Sequence, residues 1–134
     1  MIPPFFNRGK TMRISEVIGS IDKKYPNIID SITKIRWLKA LDMQIKEEVI
    51  DTHKKPDDYE EPDFNTYDMD TELLIGDIYA EIYESYLKMK ISQELVEQER
   101  YAMETTVFNN LYITYQAYYN RHHMPLVKAV PVYR

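Results

Sequence analysis

Apolar residues recur at three- and four-residue steps along most of this chain, which is the pattern of amphipathic α-helices. A first stripe follows Ser15, a candidate helix cap, and stops before Pro26, because the residue preceding a proline disfavours the helical conformation. A longer stripe follows the candidate caps Asp30 and Ser31 and ends before Pro56. The apolar members of this second stripe are Ile32, Ile35, Leu38, Leu41, Ile45 and Val49. The pattern predicts two helices in the first half of the chain and a core that contains Ile35, Leu38, Leu41 and Ile45.

The second half of the chain carries a helical pattern with no obvious interruption. We expect a third helix to begin near Gly76, with Asp77 as its cap, and to carry Ile78, Ile82, Tyr86 and Met89 on one line. Of these, Ile82 and Tyr86 should pack against the second helix. Neither proline nor glycine separates Ile78 from His123, and one helix over this span would be about 65 Å long, too long for a compact monomer. We therefore expect a break at residues 93–98 and then a fourth helix. The whole pattern predicts an all-α fold, a small bundle of about four helices with a long loop and an extended C-terminal tail.

An aromatic stripe runs along the predicted fourth helix, at steps of seven, four, three and four residues that place its members on one helical face. The stripe consists of Tyr101, Phe108, Tyr112, Tyr115 and Tyr119. Its spacing alone favours a tyrosine-rich face buried in the core. A second interpretation is a subunit interface, because tyrosine can bury its ring while its hydroxyl stays hydrogen-bonded, and the chain has 12 tyrosines. The five residues are therefore candidate interface residues.

The segment between the second and third helices, residues 57–72, contains eight carboxylates and neither lysine nor arginine. Pro56 and Pro62 favour an extended conformation, and a loop of this length is either functional or a solvated linker. A calcium loop of the EF-hand type is not expected, because Leu73 and Tyr79 occupy the positions that require glycine and glutamate. The candidate acidic surface consists of Asp57, Asp58, Glu60, Glu61 and Asp63.

We divide the chain into an N-terminal extension (residues 1–11), a helical domain (12–125) and a C-terminal arm (126–134). The arm is apolar and β-prone, and Pro131 restricts any strand there to pairing along one edge. It either folds back on its own bundle or adds as an edge strand to a partner. Its candidate interface residues are Leu126, Val127, Val130, Val132 and Tyr133.

Composition argues against several classes of function. A net charge of −5 disfavours nucleic-acid binding through a basic surface, and the absence of cysteine excludes disulfides and thiol chemistry. His122 and His123 are adjacent and cannot chelate a metal as an i, i+4 pair, but they suit the exposed carbonyls at a helix C-terminus. With three glycines, no phosphate-binding loop and no nucleophile motif, we expect no enzyme, no cofactor and no metal site. No apolar run approaches the roughly 18 residues of a membrane span.

Several segments together resemble a family of small structural proteins of tailed bacteriophages, the head–tail connector (adaptor) proteins of phages and prophages of Gram-positive bacteria. The resemblance covers roughly residues 12–125 and is specific in combination rather than in any single piece. The segments that carry it are KIRWL at 34–38, EVIDTH at 48–53, DTELLI at 70–75 and YNRH at 119–122.

The resemblance implies a ring, expected as twelve copies, beneath the portal protein, where it would extend the DNA channel and link the capsid to the tail. Its partners would be the portal and a tail or stopper protein, with genomic DNA passing through without specific binding. The acidic loop would then face the lumen and repel DNA, or form a docking patch. The expected location is the head–tail interface of the virion, and the host cytoplasm during assembly. Two alternatives remain: a small acidic regulatory or antitoxin-like binding protein, and a tail-completion protein.

Overall fold

The computed structural model describes residues 11–126 apart from the side chain of Asp77, and helices account for 65% of these residues, which confirms the predicted all-α class. The predicted N-terminal extension, up to residue 10, and the arm from residue 127 onward lie outside the described residues. In chain order the elements are β1 (Thr11–Arg13), α1 (Ile14–Lys24), α2 (Ser31–Ile45), a π-helical turn (Lys46–Ile50), a 3₁₀ turn (Phe64–Thr66), β2 (Glu72–Gly76), a second 3₁₀ turn (Asp77–Tyr79), α3 (Glu81–Glu94) and α4 (Gln98–His122).

The starts of the first two helices follow from their caps. Asp30 caps α2 as predicted, because its carboxylate accepts a hydrogen bond from the backbone N–H of Thr33 at 2.8 Å. The cap predicted for α1 was wrong: the helix begins one residue before Ser15, and the carboxylate of Glu16 accepts the backbone N–H of Arg13 at 2.8 Å. The first helix therefore takes its cap from a residue inside its own first turn.

The predicted start of the third helix was also wrong: residues 72–76 form a strand, the 3₁₀ turn Asp77–Tyr79 follows it, and α3 begins only at Glu81. β2 pairs antiparallel with β1, with Thr11 opposite Gly76 and Arg13 opposite Glu72. Leu73 and Ile75 alternate with outward positions and are almost fully buried, whereas Ile78 is exposed. The partner strand lies about 60 residues away in the sequence, so the local sequence pattern does not predict the pairing.

The break between the third and fourth helices falls where it was predicted, between Glu94 and Gln98. Val96 takes a left-handed conformation with φ of 57°, and the N–H of Glu97 reaches back to the carbonyl of Ser92 at 2.9 Å. This is the six-to-one hydrogen bond of a helix end that normally has glycine in the left-handed position. The β-branched side chain of Val96 therefore carries strain of about 1–2 kcal/mol.

The core forms where α2 and α1 meet the α3–α4 hairpin. Leu38, Leu41 and Ile45 are fully buried in one cluster with Ile82 and Phe108, and they confirm the predicted stripe; Ile35 packs against the cluster while partly buried. Ile32, predicted on the same stripe, is instead 68% exposed. The inward position in this first turn belongs to Lys34, whose side chain is buried and whose Nζ lies 2.5 Å from the Asp22 carboxylate on α1. An ion pair, rather than an isoleucine, closes this end of the helix pair.

Candidate interaction surfaces

The aromatic stripe of α4 faces the interior of its own domain. Phe108, Tyr112 and Tyr115 are 6–8% exposed, and the ring of Phe108 lies 5.1 Å from that of Tyr86 on α3. Tyr101 and Tyr119 are half-buried at the edges of the same face. The interface prediction is therefore wrong for the three central rings, and the core interpretation describes them. Helical spacing identifies residues that share a face, but it does not say whether the same chain or another one covers that face.

The opposite face of α4 carries the feature that the sequence analysis missed. Between Arg100 and Arg121 no solvent-exposed position of α4 is charged, and the only charged residue in that span, Glu104, is buried. Met103, Val107 and Ile113 are 57%, 43% and 61% exposed. We call the centre of this surface the outer strip: Met103, Thr106, Val107, Asn110, Ile113, Thr114 and Ala117.

The two threonine hydroxyls of the outer strip are turned toward the helix backbone. Thr106 donates to the carbonyl of Ala102 at 3.2 Å, and Thr114 donates to the carbonyl of Asn110 at 2.8 Å. A surface helix without charge is unusual in a chain with 29% charged residues, and the cores of protein interfaces are depleted in charge. The absence of charge from residue 105 to residue 120 was visible in the sequence and was the signal that would have found this surface.

The acidic loop is held against the domain by a cluster of two lysines and two carboxylates. Glu61 lies 3.1 Å from Lys46 Nζ and 3.3 Å from Lys55 Nζ, and Asp51 contacts the same two amines at 2.8 and 2.7 Å. The hydrogen bond from Lys46 lowers the pKa of Glu61, and the bonds to Asp51 and Glu61 raise the pKa of Lys46. Glu61, proposed from the sequence as a surface acid, therefore acts as an anchor of the loop.

The other candidate acids divide into two groups. Asp63 accepts the backbone N–H of Asn65 at 3.0 Å and caps the 3₁₀ turn that follows. Asp57, Asp58 and Glu60 are exposed, and within residues 11–126 none of the three forms an ion pair. They are the part of the loop that is presented to solvent.

A buried carboxylate, Asp42 on α2, fixes the other end of the loop. Its Oδ1 accepts the hydroxyl of Tyr83 from α3 at 2.6 Å, and its Oδ2 accepts the hydroxyl of Tyr67 from the loop at 2.6 Å. Oδ2 also accepts the backbone N–H of Leu74 on β2 at 3.2 Å, and the Tyr83 hydroxyl accepts the N–H of Ile75 at 2.8 Å. Burial raises the pKa of Asp42 to about 6, against the opposing effect of these hydrogen bonds. One side chain thus joins the loop, the strand and two helices.

The segment that follows α4 is fastened to the end of the π-helical turn. The N–H of Lys54 donates to the carbonyl of Met124 at 2.7 Å, and the N–H of Leu126 donates to the carbonyl of Thr52 at 3.0 Å. Between them, the ring of buried His53 has Nδ1 2.7 Å from the carbonyl of Val49 and Nε2 2.7 Å from Oδ1 of Asn120. The arm therefore leaves the domain from a fixed point.

The adjacent histidines lie at the C-terminal end of α4, as predicted. Nδ1 of His122 lies 2.9 Å from the carbonyl of Tyr118, and Nδ1 of His123 lies 3.1 Å from that of Tyr119. The side chain of Leu126 is 56% exposed. The remaining candidate interface residues of the arm, Val127, Val130, Val132 and Tyr133, lie outside the described residues.

No protein-family model, curated protein or solved structure matched this chain. From residue 11 to residue 126 no group of three or more histidines and carboxylates is arranged to hold a metal ion. The helices in that span are all too short or too polar to cross a membrane.

Proposed function

We propose that this chain is a structural head–tail connector of a tailed bacteriophage, which assembles as a ring on the portal and receives a tail or stopper protein. The proposal starts from the resemblance over residues 12–125. The observation that carries it is the acidic loop, which contacts its domain through Glu61 and Tyr67 and so presents its carboxylates at a defined place, as a channel or docking protein requires.

Two anchors follow the exposed acids along the chain. Glu61 is held by Lys46 and Lys55, and Tyr67 is held by Asp42. Asp57, Asp58 and Glu60 precede both anchors and add three negative charges at one place on the surface. In a channel such a patch would repel the phosphates of passing DNA, and on an outer surface it would accelerate docking to a basic partner.

The arm, which is fastened at Thr52 and Lys54 beside the anchor of the loop, supports the same proposal. Its first described residue, Leu126, is hydrogen-bonded to Thr52, and the next eight residues are rich in valine and carry few charges. An apolar segment that leaves from a fixed point is suited to reach a neighbouring subunit or the portal, where it can add as a strand.

The test is electron microscopy of the purified chain mixed with its portal, which should yield rings bound to the portal. A loop variant with Asp57→Asn, Asp58→Asn and Glu60→Gln leaves the anchor Glu61 intact. A control variant with Glu47→Gln, Glu81→Gln and Glu94→Gln changes the net charge by the same amount at exposed positions elsewhere.

If the loop lines the channel, the loop variant should form normal rings and retain more DNA at low salt, and the control variant should not. If the loop is a docking patch, the loop variant should bind its partner more weakly, with a reduced salt dependence. Absence of any ring or portal binding by the unmodified chain would reject the connector function.

A second candidate function is a small acidic regulatory protein that sequesters a basic partner. The exposed, anchored acids of residues 57–60 favour it equally, because they would bind a basic surface without any ring. The two functions differ in stoichiometry: a regulator should bind its target as a monomer or dimer, and a connector should reach ring-sized complexes on the portal.

A further inference from the structure

The outer strip of α4 is arranged symmetrically about Asn110. At about 100° per residue, the strip and the two charged residues that flank it, Glu99 and Arg121, lie within about 60° of the direction of Asn110. Asn110 is the midpoint between Glu99 and Arg121. The aromatic stripe lies on the opposite side of the helix, so the outer strip is free of contacts with the domain's core.

Residues at equal distances on either side of Asn110 are complementary in charge or in size. Glu99 corresponds to Arg121, an acid to a base. Met103, a long side chain, corresponds to Ala117, a short one. The nearer pairs are Val107 with Ile113, both branched and apolar, and Thr106 with Thr114.

We propose that two copies of this chain pair through the outer strip, with their α4 helices antiparallel and Asn110 on the two-fold axis. In this register Glu99 of each copy meets Arg121 of the other, and Met103 of each copy fills the space over Ala117. The two Asn110 amides can hydrogen-bond to each other, and a single asparagine in an apolar helix seam is a known way to fix register. Each favourable contact occurs twice because the interface is two-fold symmetric.

A second copy fits this surface better than an unrelated partner, because the pattern complements itself. Binding to an unrelated protein does not require Glu99 and Arg121 to lie at equal distances from Asn110, whereas two-fold pairing does. The contact would be about 33 Å long from Glu99 to Arg121 and about 10 Å wide. It would remove on the order of 1,000 Å² from solvent in total, the lower limit for a specific interface, so the dimer should dissociate on dilution.

This pairing goes beyond the connector function and does not depend on it. A two-fold contact pairs a face with itself and closes at two copies, so it cannot be the repeating contact of a ring. In a ring-forming protein the dimer is the free form, which covers the outer strip until assembly separates the two copies.

The first test uses the absence of cysteine in the native chain. Asn110→Cys places one thiol on the two-fold axis, where the two Cα atoms should lie roughly 4–6 Å apart, within reach of a disulfide. Asn109→Cys is the matched control, because it changes the neighbouring exposed asparagine, which points about 100° away. Mild oxidation should convert most of the Asn110→Cys protein to a covalent dimer and several-fold less of the control. Equal cross-linking of both variants, or none of either, would overturn the proposal.

The second test exchanges the charges at the ends of the strip. Glu99→Arg or Arg121→Glu alone places like charges together twice and should weaken the dimer several-fold in sedimentation experiments. The double variant restores both pairs and should return the dissociation constant to within about twofold of the native value. A double variant as weak as the single ones would exclude the antiparallel register.

The third test distinguishes the outer strip from other surfaces. Ile113→Glu places a charge in the centre of the proposed contact and should raise the dissociation constant at least about tenfold, because each copy then buries an unpaired carboxylate. If the full chain is monomeric up to its limit of solubility, or if the Ile113→Glu protein dimerises normally, the outer strip is not a copy-to-copy interface.

Discussion

One face of α4 is packed inside the domain and the other is exposed to solvent. The inner face, with Phe108, Tyr112 and Tyr115, is buried in the core of the same chain, mainly against α3. The outer face, with Met103, Val107 and Ile113, is open. The difference lies in side-chain volume and in the hydroxyls: the inner rings reach across to neighbouring elements, and the Tyr112 hydroxyl donates to Glu48 at 2.8 Å. The uncharged side chains of the outer face make few intramolecular contacts and leave this face open to another helix.

The largest expected change in the free energy of unfolding comes from truncating the buried residue of a neighbouring pair on α4, Phe108, while its exposed neighbour Val107 serves as the comparison. Phe108→Ala should lower the free energy of unfolding by about 3–5 kcal/mol, because it removes a buried ring from the centre of the core. Val107→Ala, the adjacent and exposed residue, should change the free energy by less than about 0.5 kcal/mol. Chemical denaturation at low protein concentration, where self-association is negligible, measures both. Similar losses for the two variants would mean that the two faces of α4 are not distinct.

The second prediction concerns the buried carboxylate of Asp42, since the interior contains an ionisable group and the outer strip does not. The pKa of Asp42 lies at about 6 in the folded chain and at the ordinary value near 4 when unfolded. Between these pH values the folded chain holds a proton that the unfolded chain has released, so this residue makes the free energy of unfolding fall as the pH rises. The contribution should reach about 3 kcal/mol across the window. It should be absent from Asp42→Asn, and parallel pH profiles for the two proteins would contradict the prediction.

The third prediction removes one donor from the interior while leaving the shape unchanged. Tyr83→Phe leaves Oδ1 of Asp42 and the N–H of Ile75 without their shared partner and should cost about 1–3 kcal/mol. Tyr67→Phe removes the bond at the half-buried loop, where water can replace it, and should cost less. Thermal denaturation of both variants ranks them, and an equal or reversed order would show that burial does not set the cost here.

The smallest changes in the free energy of unfolding are expected when glycine replaces Val96 or, separately, Val107. Val96→Gly should raise the free energy of unfolding by about 0.5–1 kcal/mol, because glycine adopts the left-handed conformation of this turn without strain. Val107→Gly, on the exposed helix, should lower it by a few tenths of a kcal/mol. The signs should therefore differ, and a loss of stability in Val96→Gly would show that the turn gains from the valine side chain.

The sequence by itself determined the helices, their apolar faces and the break at residues 93–98. Local spacing, caps and prolines act over a few residues, so Asp30 as a cap and Leu38, Leu41 and Ile45 as core positions could be predicted. It also determined that the rings of α4 share one face.

Only the tertiary structure decided what covers each face and what holds the loop. β2 exists because β1, about 60 residues earlier, supplies its hydrogen bonds. Asp42 becomes a junction because Tyr67, Tyr83 and Leu74 converge on it from three distant elements. Glu61 becomes an anchor because Lys46 and Lys55 are brought beneath the loop. These contacts depend on long-range packing, in which the free energy of burial acts between residues that no local pattern connects.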